Sequence, residues 1–111
     1  MKTLITLIIF AMVMIASARN GVAADAATNW SQHCASCHGK AGKGDAVMGK
    51  KLGVKDYQDA KVQAAFSDGE MERAIKEGVK TNGKETMKPF GNKLSNADIK
   101  ALVAYIRSFK K

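Results

Sequence analysis

The chain has 111 residues, of which 18 are basic and 10 acidic, giving a formal net charge of +8, and 46% are apolar. This length allows one small domain and excludes a multidomain enzyme or a polytopic membrane protein, while two cysteines are too few for a disulfide-dense scaffold. Positions 1–24 hold 17 of the apolar residues, so the other 87 positions contain few large apolar side chains. A domain with so small a core usually needs a metal, a cofactor or a disulfide.

The first 24 residues have the three-part layout of a secretory signal peptide. Lys2 makes a basic start, positions 4–16 form an apolar run, and Val22-Ala23-Ala24 offers the small residues of a cleavage site. We predict cleavage after Ala24, with Ala16-Ser17-Ala18 as a second candidate site. The apolar run is shorter than the ~20 residues that a membrane span needs. We therefore expect no stable membrane insertion after cleavage.

The remaining domain, residues 25–111, is predicted to be all-α with four helices. The first helix is predicted over 26–38, and the second is capped by Asp59 and ends near Phe66. The third begins at the Ser67–Glu70 capping box and ends at about Gly78. The fourth follows Ser95, which resembles the same capping box because Asp98 lies three residues later. The last helix has one apolar stripe, formed by Ile99, Leu102, Val103, Ile106 and Phe109. Positions 39–57 and 79–94 are predicted to be irregular loops, and loops of this length in a small domain are typical of functional segments.

The two cysteines and one of the two histidines form a single motif, Cys34-Ala35-Ser36-Cys37-His38. The pattern C-x-x-C-H is the attachment signature of c-type haem. On a helical turn this spacing puts both thiols on one side, about 5 Å apart along the axis. Cys34 and Cys37 can then form thioethers with the two haem vinyl groups, and His38 can bind the iron.

Three other roles compete for the motif. A redox-active dithiol of the thioredoxin type needs βαβ units, which the pattern lacks. A zinc site that includes His33 would usually take ligands from a second cluster of Cys or His, and none follows. A plain structural disulfide between Cys34 and Cys37 is the third. The secretory signal, the all-α pattern and the small core together favour haem.

A sixth iron ligand is predicted at Met87, in the long loop before the last helix. His33 lies five residues before the motif histidine, about 140° around a helix, and so faces elsewhere. Met71 is expected to pack in the core. Met48 is the main rival, although it would have to reach the opposite haem face within ten residues. A thioether is a neutral, soft ligand that favours Fe(II) and raises the reduction potential relative to two histidines.

Three stretches of the chain resemble class I c-type cytochromes, and the resemblance covers essentially all of residues 26–111. They are the segment Trp30 to Gly39, the tetrapeptide Met87-Lys88-Pro89-Phe90, and Leu94-Ser95 leading into Leu102 to Phe109. The resemblance implies the class I cytochrome c fold, in which about four helices pack around one covalently attached haem c.

The same resemblance implies roles for individual residues. Cys34 and Cys37 would bind haem c, and His38 and Met87 would be the axial iron ligands. The aromatic side chain four residues before the first cysteine would pack across the last helix, which corresponds to Trp30 meeting Tyr105. Many family members have proline directly after the methionine, whereas Lys88 intervenes here.

The resemblance also implies a soluble one-electron carrier, not an enzyme, that shuttles electrons between a redox donor and acceptor. Lysines either steer the carrier to an acidic docking face on these partners or form a generally solvated basic surface; they are Lys40, Lys43, Lys50, Lys51, Lys55, Lys84, Lys88 and Lys93. We expect a monomer in the periplasm, with the thylakoid lumen as a second possible location, and no nucleic-acid binding. The alternatives are a haem-based sensor or small-ligand binder with a labile sixth ligand, and a thiol oxidoreductase using the cysteine pair.

Overall fold

A computed structural model describes residues 21–111, so most of the predicted signal peptide lies outside the described residues. Its elements, in chain order, are α1 (Gly21–Asn29), a π-helical turn (Trp30–Cys34), α2 (Ala35–His38), α3 (Val47–Leu52), α4 (Ala60–Ala65), α5 (Asp68–Glu77), β1 (Val79–Thr81), β2 (Lys84–Met87) and α6 (Asn96–Arg107). Among these described elements, no helix is both long and apolar enough to cross a membrane.

The three helices predicted from their caps are confirmed. The Asp59 carboxylate accepts a hydrogen bond from the backbone at the start of α4. Ser67 and Glu70 form a reciprocal capping box at α5, and Ser95 and Asp98 form a second one at α6. Each box satisfies two backbone N–H groups that the first helical turn leaves without partners. The starts of α4, α5 and α6 are therefore encoded locally.

The core lies between the first helical segment and α6, with α5 closing one side. Leu102, at the centre of α6, is fully buried, and Trp30 is 2% exposed. The predicted stripe is confirmed, although Phe109 lies beyond the helix end and is half-buried. Met71 is also buried, as expected. The buried cluster comprises Trp30, Cys34, Met71, Ile75, Phe90, Leu94, Ile99, Leu102, Val103 and Ile106.

The first predicted helix contains a π-helical turn that sequence reasoning missed. The backbone N–H of Ala35 donates to the carbonyl of Trp30, five residues earlier, so the turn holds one residue more than an α-helix would. Trp30 and Cys34 are both buried in it. Single π turns within helices are frequent at functional sites, and this one leads directly into the C-x-x-C-H motif.

The glycine-rich segment predicted as a loop contains the short helix α3. Its N-cap residue, Ala46, makes no side-chain capping bond, so no local cap predicts its start. The helix packs against α2, where Gly49 lies directly on the backbone of Cys37; a Cβ at this position would overlap the Cys37 carbonyl oxygen. Tertiary contact rather than local sequence therefore defines α3 and places it beside the motif.

The second predicted loop begins with an antiparallel hairpin, β1–β2. Asn82 and Gly83 both have positive φ, 53° and 78°, which is the pattern of a two-residue type I′ turn. The register pairs Thr81 with Lys84 and Val79 with Met87, with an irregularity between the two pairs. The all-α assignment is confirmed for the bulk of the fold, to which this small hairpin is an addition.

A polar clamp ties α4 to the end of α6. The Gln63 side chain is 4% exposed, and its amide nitrogen donates to the carbonyls of Tyr57 at 2.7 Å and Ile106 at 2.9 Å. Arg107 donates to the Gln63 backbone and side-chain oxygens and pairs with Asp68 at 2.9 Å. Buried polar groups of this kind destabilise a fold strongly when one partner is removed, because the other is left unpaired.

We expect Gln63→Ala to lower the free energy of unfolding by about 1–3 kcal/mol, because the carbonyls of Ile106 and Tyr57, at a buried and a partly buried hydrogen bond, lose their donor. Gln58→Ala is the matched control: the Gln58 amide also donates to a backbone carbonyl, that of Ala41, but at an exposed site, so its cost should stay below about 0.5 kcal/mol. Denaturant unfolding of the purified variants measures both values. If both substitutions lower the free energy of unfolding equally, the buried Gln63 hydrogen bonds do not stabilise the fold as proposed.

Candidate haem site

The motif residues lie at the end of the first helical segment. Cys34, in the π-helical turn, is 6% exposed, whereas Cys37 and His38, in α2, are half-buried. The two cysteines do not form a disulfide with each other. The segment ends at Gly39, whose positive φ of 85° stops the helix immediately after the histidine. The cysteines and the histidine are therefore held on adjoining helical turns.

The imidazole of His38 contacts two aromatic rings. The Trp30 ring centroid is 5.6 Å away, and the Tyr57 ring is stacked at 5.4 Å with an interplanar angle of 27°. Burial lowers the pKa of His38, so the ring is neutral at physiological pH, the form that binds metal. Among the described residues, its Nδ1 is buried and has no hydrogen-bond partner. A neutral imidazole in contact with two aromatic rings, with one buried nitrogen left without a partner, fits an axial haem ligand.

Trp30 fixes the backbone that follows His38. Its indole N–H donates to the carbonyls of Gly39 at 3.1 Å and Lys40 at 3.2 Å. The same ring contacts Tyr105 at 6.0 Å and Phe109 at 5.0 Å between centroids. The predicted meeting of Trp30 with Tyr105 is thus confirmed, and the contact couples the histidine segment to α6.

The environment of the cysteines disfavours thiol redox chemistry. Burial raises the pKa of Cys34 to about 11, and the charge of Cys37 adds to the effect. Reactive dithiols need the opposite shift, because the thiolate is the nucleophile. Within residues 25–111, whose side chains are described, no three His, Cys, Asp or Glu residues form a group that could hold a metal ion. The zinc site that would include His33 therefore has no support in the geometry.

The candidates for a sixth ligand differ in position. Met87, at the end of β2, is half-buried and packs against the cluster that contains Cys34. Met48 lies on α3 with 49% of its surface exposed, and Met71 is part of the core. His33 is half-buried, and its ring meets that of Phe90 at 5.6 Å. Because Phe90 follows Met87 by three residues, this contact brings the Met87 segment beside the motif.

Tyr57 is a site residue that sequence reasoning did not identify. Its ring stacks on His38, and its backbone N–H donates to the Gly42 carbonyl at 2.8 Å, which closes the glycine-rich loop around the motif. Burial raises the pKa of Tyr57, with a smaller contribution from Cys34. No spacing rule links an aromatic residue at the end of this loop to the histidine, so only the folded chain brings them together.

Two open clefts in the described part of the chain lie away from the motif. One, of about 340 Å³, lies between α5 and α6. Its lining combines acidic and basic side chains, including Glu72, Arg73, Lys76 and Lys100, and contains no residue of the C-x-x-C-H motif. Charges of both signs around a shallow cleft select neither an anion nor a cation.

Comparison with known families gives one family match. Residues 21–106 match the family described as "Cytochrome C oxidase, cbb3-type, subunit III". This range contains the motif, the hairpin and nearly all of α6, so it spans most of the site described above.

Individual relatives agree with the family match. Cytochrome c6 of Picosynechococcus sp. is 40% identical, over 76% of this chain and 73% of that protein. Cytochrome c-554(547) of Halothiobacillus neapolitanus is 32% identical, over 81% of this chain and 99% of that protein. The solved structure of the KustC0563 c-type cytochrome superposes with a TM-score of 0.71 at 39% identity, over 78% of this chain and 99% of that one. The chain therefore belongs to the c-type cytochromes, as a small class I member that carries covalently bound haem c.

Proposed function

We propose that this protein is a one-electron carrier in which Cys34 and Cys37 hold the haem as thioethers and His38 and Met87 are the axial iron ligands. The observation that carries the proposal is the half-buried, neutral imidazole of His38 in contact with the rings of Trp30 and Tyr57. The haem supplies the Fe(III)/Fe(II) couple. The protein has to keep the ligands in place in both oxidation states.

The contacts around His38 support this role. The imidazole is confined by contacts with two aromatic rings, and the backbone on its C-terminal side is bonded to the Trp30 indole. The proposed thioethers would fix the same segment covalently. A ligand confined in this way changes position little when the iron changes charge. The cytochrome names of the relatives agree with a carrier role.

The choice of Met87 over Met48 can be tested with a pair of identical substitutions. Methionine ligation to ferric haem gives a near-infrared absorption band at about 695 nm. We expect Met87→Ala to abolish this band, because the half-buried thioether beside the cluster is removed. Met48→Ala should retain it, because that side chain is exposed on α3. The optical spectrum of each purified ferric variant measures the result.

Two results would contradict the ligand assignment. If Met48→Ala loses the band and Met87→Ala retains it, the sixth ligand is Met48 on α3. Absence of the band in the unsubstituted protein would favour the haem-based sensor or small-ligand binder, since such a protein has no firmly bound sixth ligand.

We propose that the lysine-rich surface steers the carrier to acidic redox partners. All eight lysines identified from the sequence are exposed. In the part of the chain that the structure describes, none of these lysines forms a salt bridge. The ion pair found there joins Arg107 and Asp68. Their charges are therefore not neutralised locally, and they act on approaching molecules over a distance of about 10 Å at 0.1 M salt.

Small oxidants of opposite charge test this steering without a known partner. We expect oxidation of the ferrous protein by anionic ferricyanide to slow as ionic strength rises from about 10 mM to 500 mM, because salt screens the attraction. Oxidation by a cationic cobalt(III) complex should become faster over the same range. Stopped-flow kinetics measures both rates. If neither rate depends on salt, the lysines form only a generally solvated surface.

We further propose that the chain is exported to the periplasm, cleaved after Ala24, and works as a monomer of residues 25–111. In an exporting bacterial host, the purified haem protein should begin with Asp25, as determined by N-terminal sequencing and intact mass. A start at Arg19 would instead identify the second candidate cleavage site. An uncut chain in the membrane fraction would contradict the proposal.

A further inference from the structure

The backbone is fixed immediately before and after Met87. Before it, the hairpin pairs Met87 with Val79 at the start of β1. After it, the N–H of Phe90 donates to the Ile75 carbonyl at 2.8 Å, and the N–H of Gly91 donates to the Lys76 carbonyl at 3.1 Å. The chain around Met87 is thus attached to β1 on one side and to the end of α5 on the other.

Close backbone contact reinforces this attachment at Gly78. This residue ends α5 with a positive φ of 78°. A Cβ at Gly78 would lie 2.6 Å from the Met87 carbonyl oxygen and 2.9 Å from the Pro89 nitrogen. Only glycine fits, because both the dihedral and the distance exclude a side chain. The peptide units that follow Met87 therefore rest directly on the link between α5 and β1.

The hairpin contains a bulge that decides which residue faces Val79. Thr81 pairs with Lys84 and Lys80 with Glu85, so a regular ladder would pair Val79 with Thr86. Instead Val79 pairs with Met87, and Thr86 is the extra residue. Because strand side chains alternate between faces, shifting the register by one residue moves a side chain to the opposite face. Bulges commonly re-aim a side chain in this way next to active sites.

Thr86 holds the bulge through its own side chain. Its hydroxyl donates to the Val79 carbonyl at 3.2 Å, and the Thr81 hydroxyl lies 3.3 Å from the same oxygen atom of Thr86. Since the proton of Thr86 is directed to Val79, the Thr81 hydroxyl is the donor in the second contact. Thr86 therefore bonds directly to Val79, the residue that pairs with Met87, whereas the Thr81 side chain bonds only to Thr86.

We propose that Thr86 is a positioning residue: its hydrogen bond to Val79 fixes the bulged register of the hairpin and thereby holds Met87 for iron ligation. This inference rests on the proposed function, in which Met87 is the sixth ligand. Without this hydrogen bond, the end of β2 can shift into the regular register, in which Thr86 instead of Met87 pairs with Val79. Met87 then spends more time away from the position required for ligation.

Thr86→Val tests the proposal, because valine keeps the shape and strand preference of threonine and removes only the hydroxyl. Imidazole is the probe: it binds ferric haem when the methionine dissociates. We expect Thr86→Val to bind imidazole roughly three- to tenfold faster than the unsubstituted protein, a change that corresponds to one ordinary hydrogen bond. Its band at about 695 nm should also disappear at a lower temperature. Stopped-flow mixing and thermal titration of the band measure these effects.

Thr81→Val is the matched control, since it makes the same chemical change two residue pairs away from the Val79–Met87 pair. We expect its imidazole binding rate to stay close to that of the unsubstituted protein. Thr86→Ser restores the hydroxyl and should restore the slow rate. If Thr81→Val accelerates binding as much as Thr86→Val, or if Thr86→Ser remains fast, the hydrogen bond is not the cause and the proposal is overturned.

Met87→Ala separates failure of this inference from failure of the proposed function. If Met87→Ala keeps the band at about 695 nm, Met87 is not the ligand and both proposals are wrong. If Met87→Ala loses the band while Thr86→Val binds imidazole at the unsubstituted rate, the ligand assignment holds and the positioning role of Thr86 is wrong.

Discussion

The indole of Trp30 is the contact on which the rest of the structure depends. Its N–H group donates to the two carbonyls that follow His38, its ring faces the His38 imidazole, and its other contacts are with Tyr105 and Phe109 near the end of α6. A single side chain thus joins the packing of the two main helical segments to the orientation of the proposed ligand. Because the ring is 2% exposed, these contacts are made away from water, where hydrogen bonds are stronger.

Much of the fold could be predicted because it is encoded by short-range chemistry. The two capping boxes consist of side chain–backbone bonds within four residues, and they form as the sequence indicates. They join Ser67 with Glu70 and Ser95 with Asp98. The apolar stripe of α6 follows from helical periodicity alone. The C-x-x-C-H motif is equally local, so its two cysteines and its histidine can be recognised from their spacing in the chain.

Other features depend on contacts that a local pattern does not contain. Helix α3 has no side-chain cap and is held by the approach of Gly49 to Cys37, while Tyr57 reaches His38 only through closure of the glycine-rich loop. The π-helical turn has no propensity signature that separates it from an α-helix. The hairpin did carry a local signal, Asn82-Gly83, but its strands are too short to show alternation. The bulge follows from the pairing of the two strands, which neither strand encodes alone.

The two proposed iron ligands are held by different kinds of structure. His38 contacts the ring of Trp30, which belongs to the buried cluster, and the ring of Tyr57, which packs against it, so its displacement disturbs apolar packing. Met87 packs against the same cluster, but it lies in a hairpin whose other residues are exposed, apart from the half-buried Thr86. Exposed hydrogen bonds with few apolar contacts open at lower free energy than buried packing does. The methionine side is therefore the more easily opened half of the site, and the hydrogen bonds around Met87 add to its packing against the cluster.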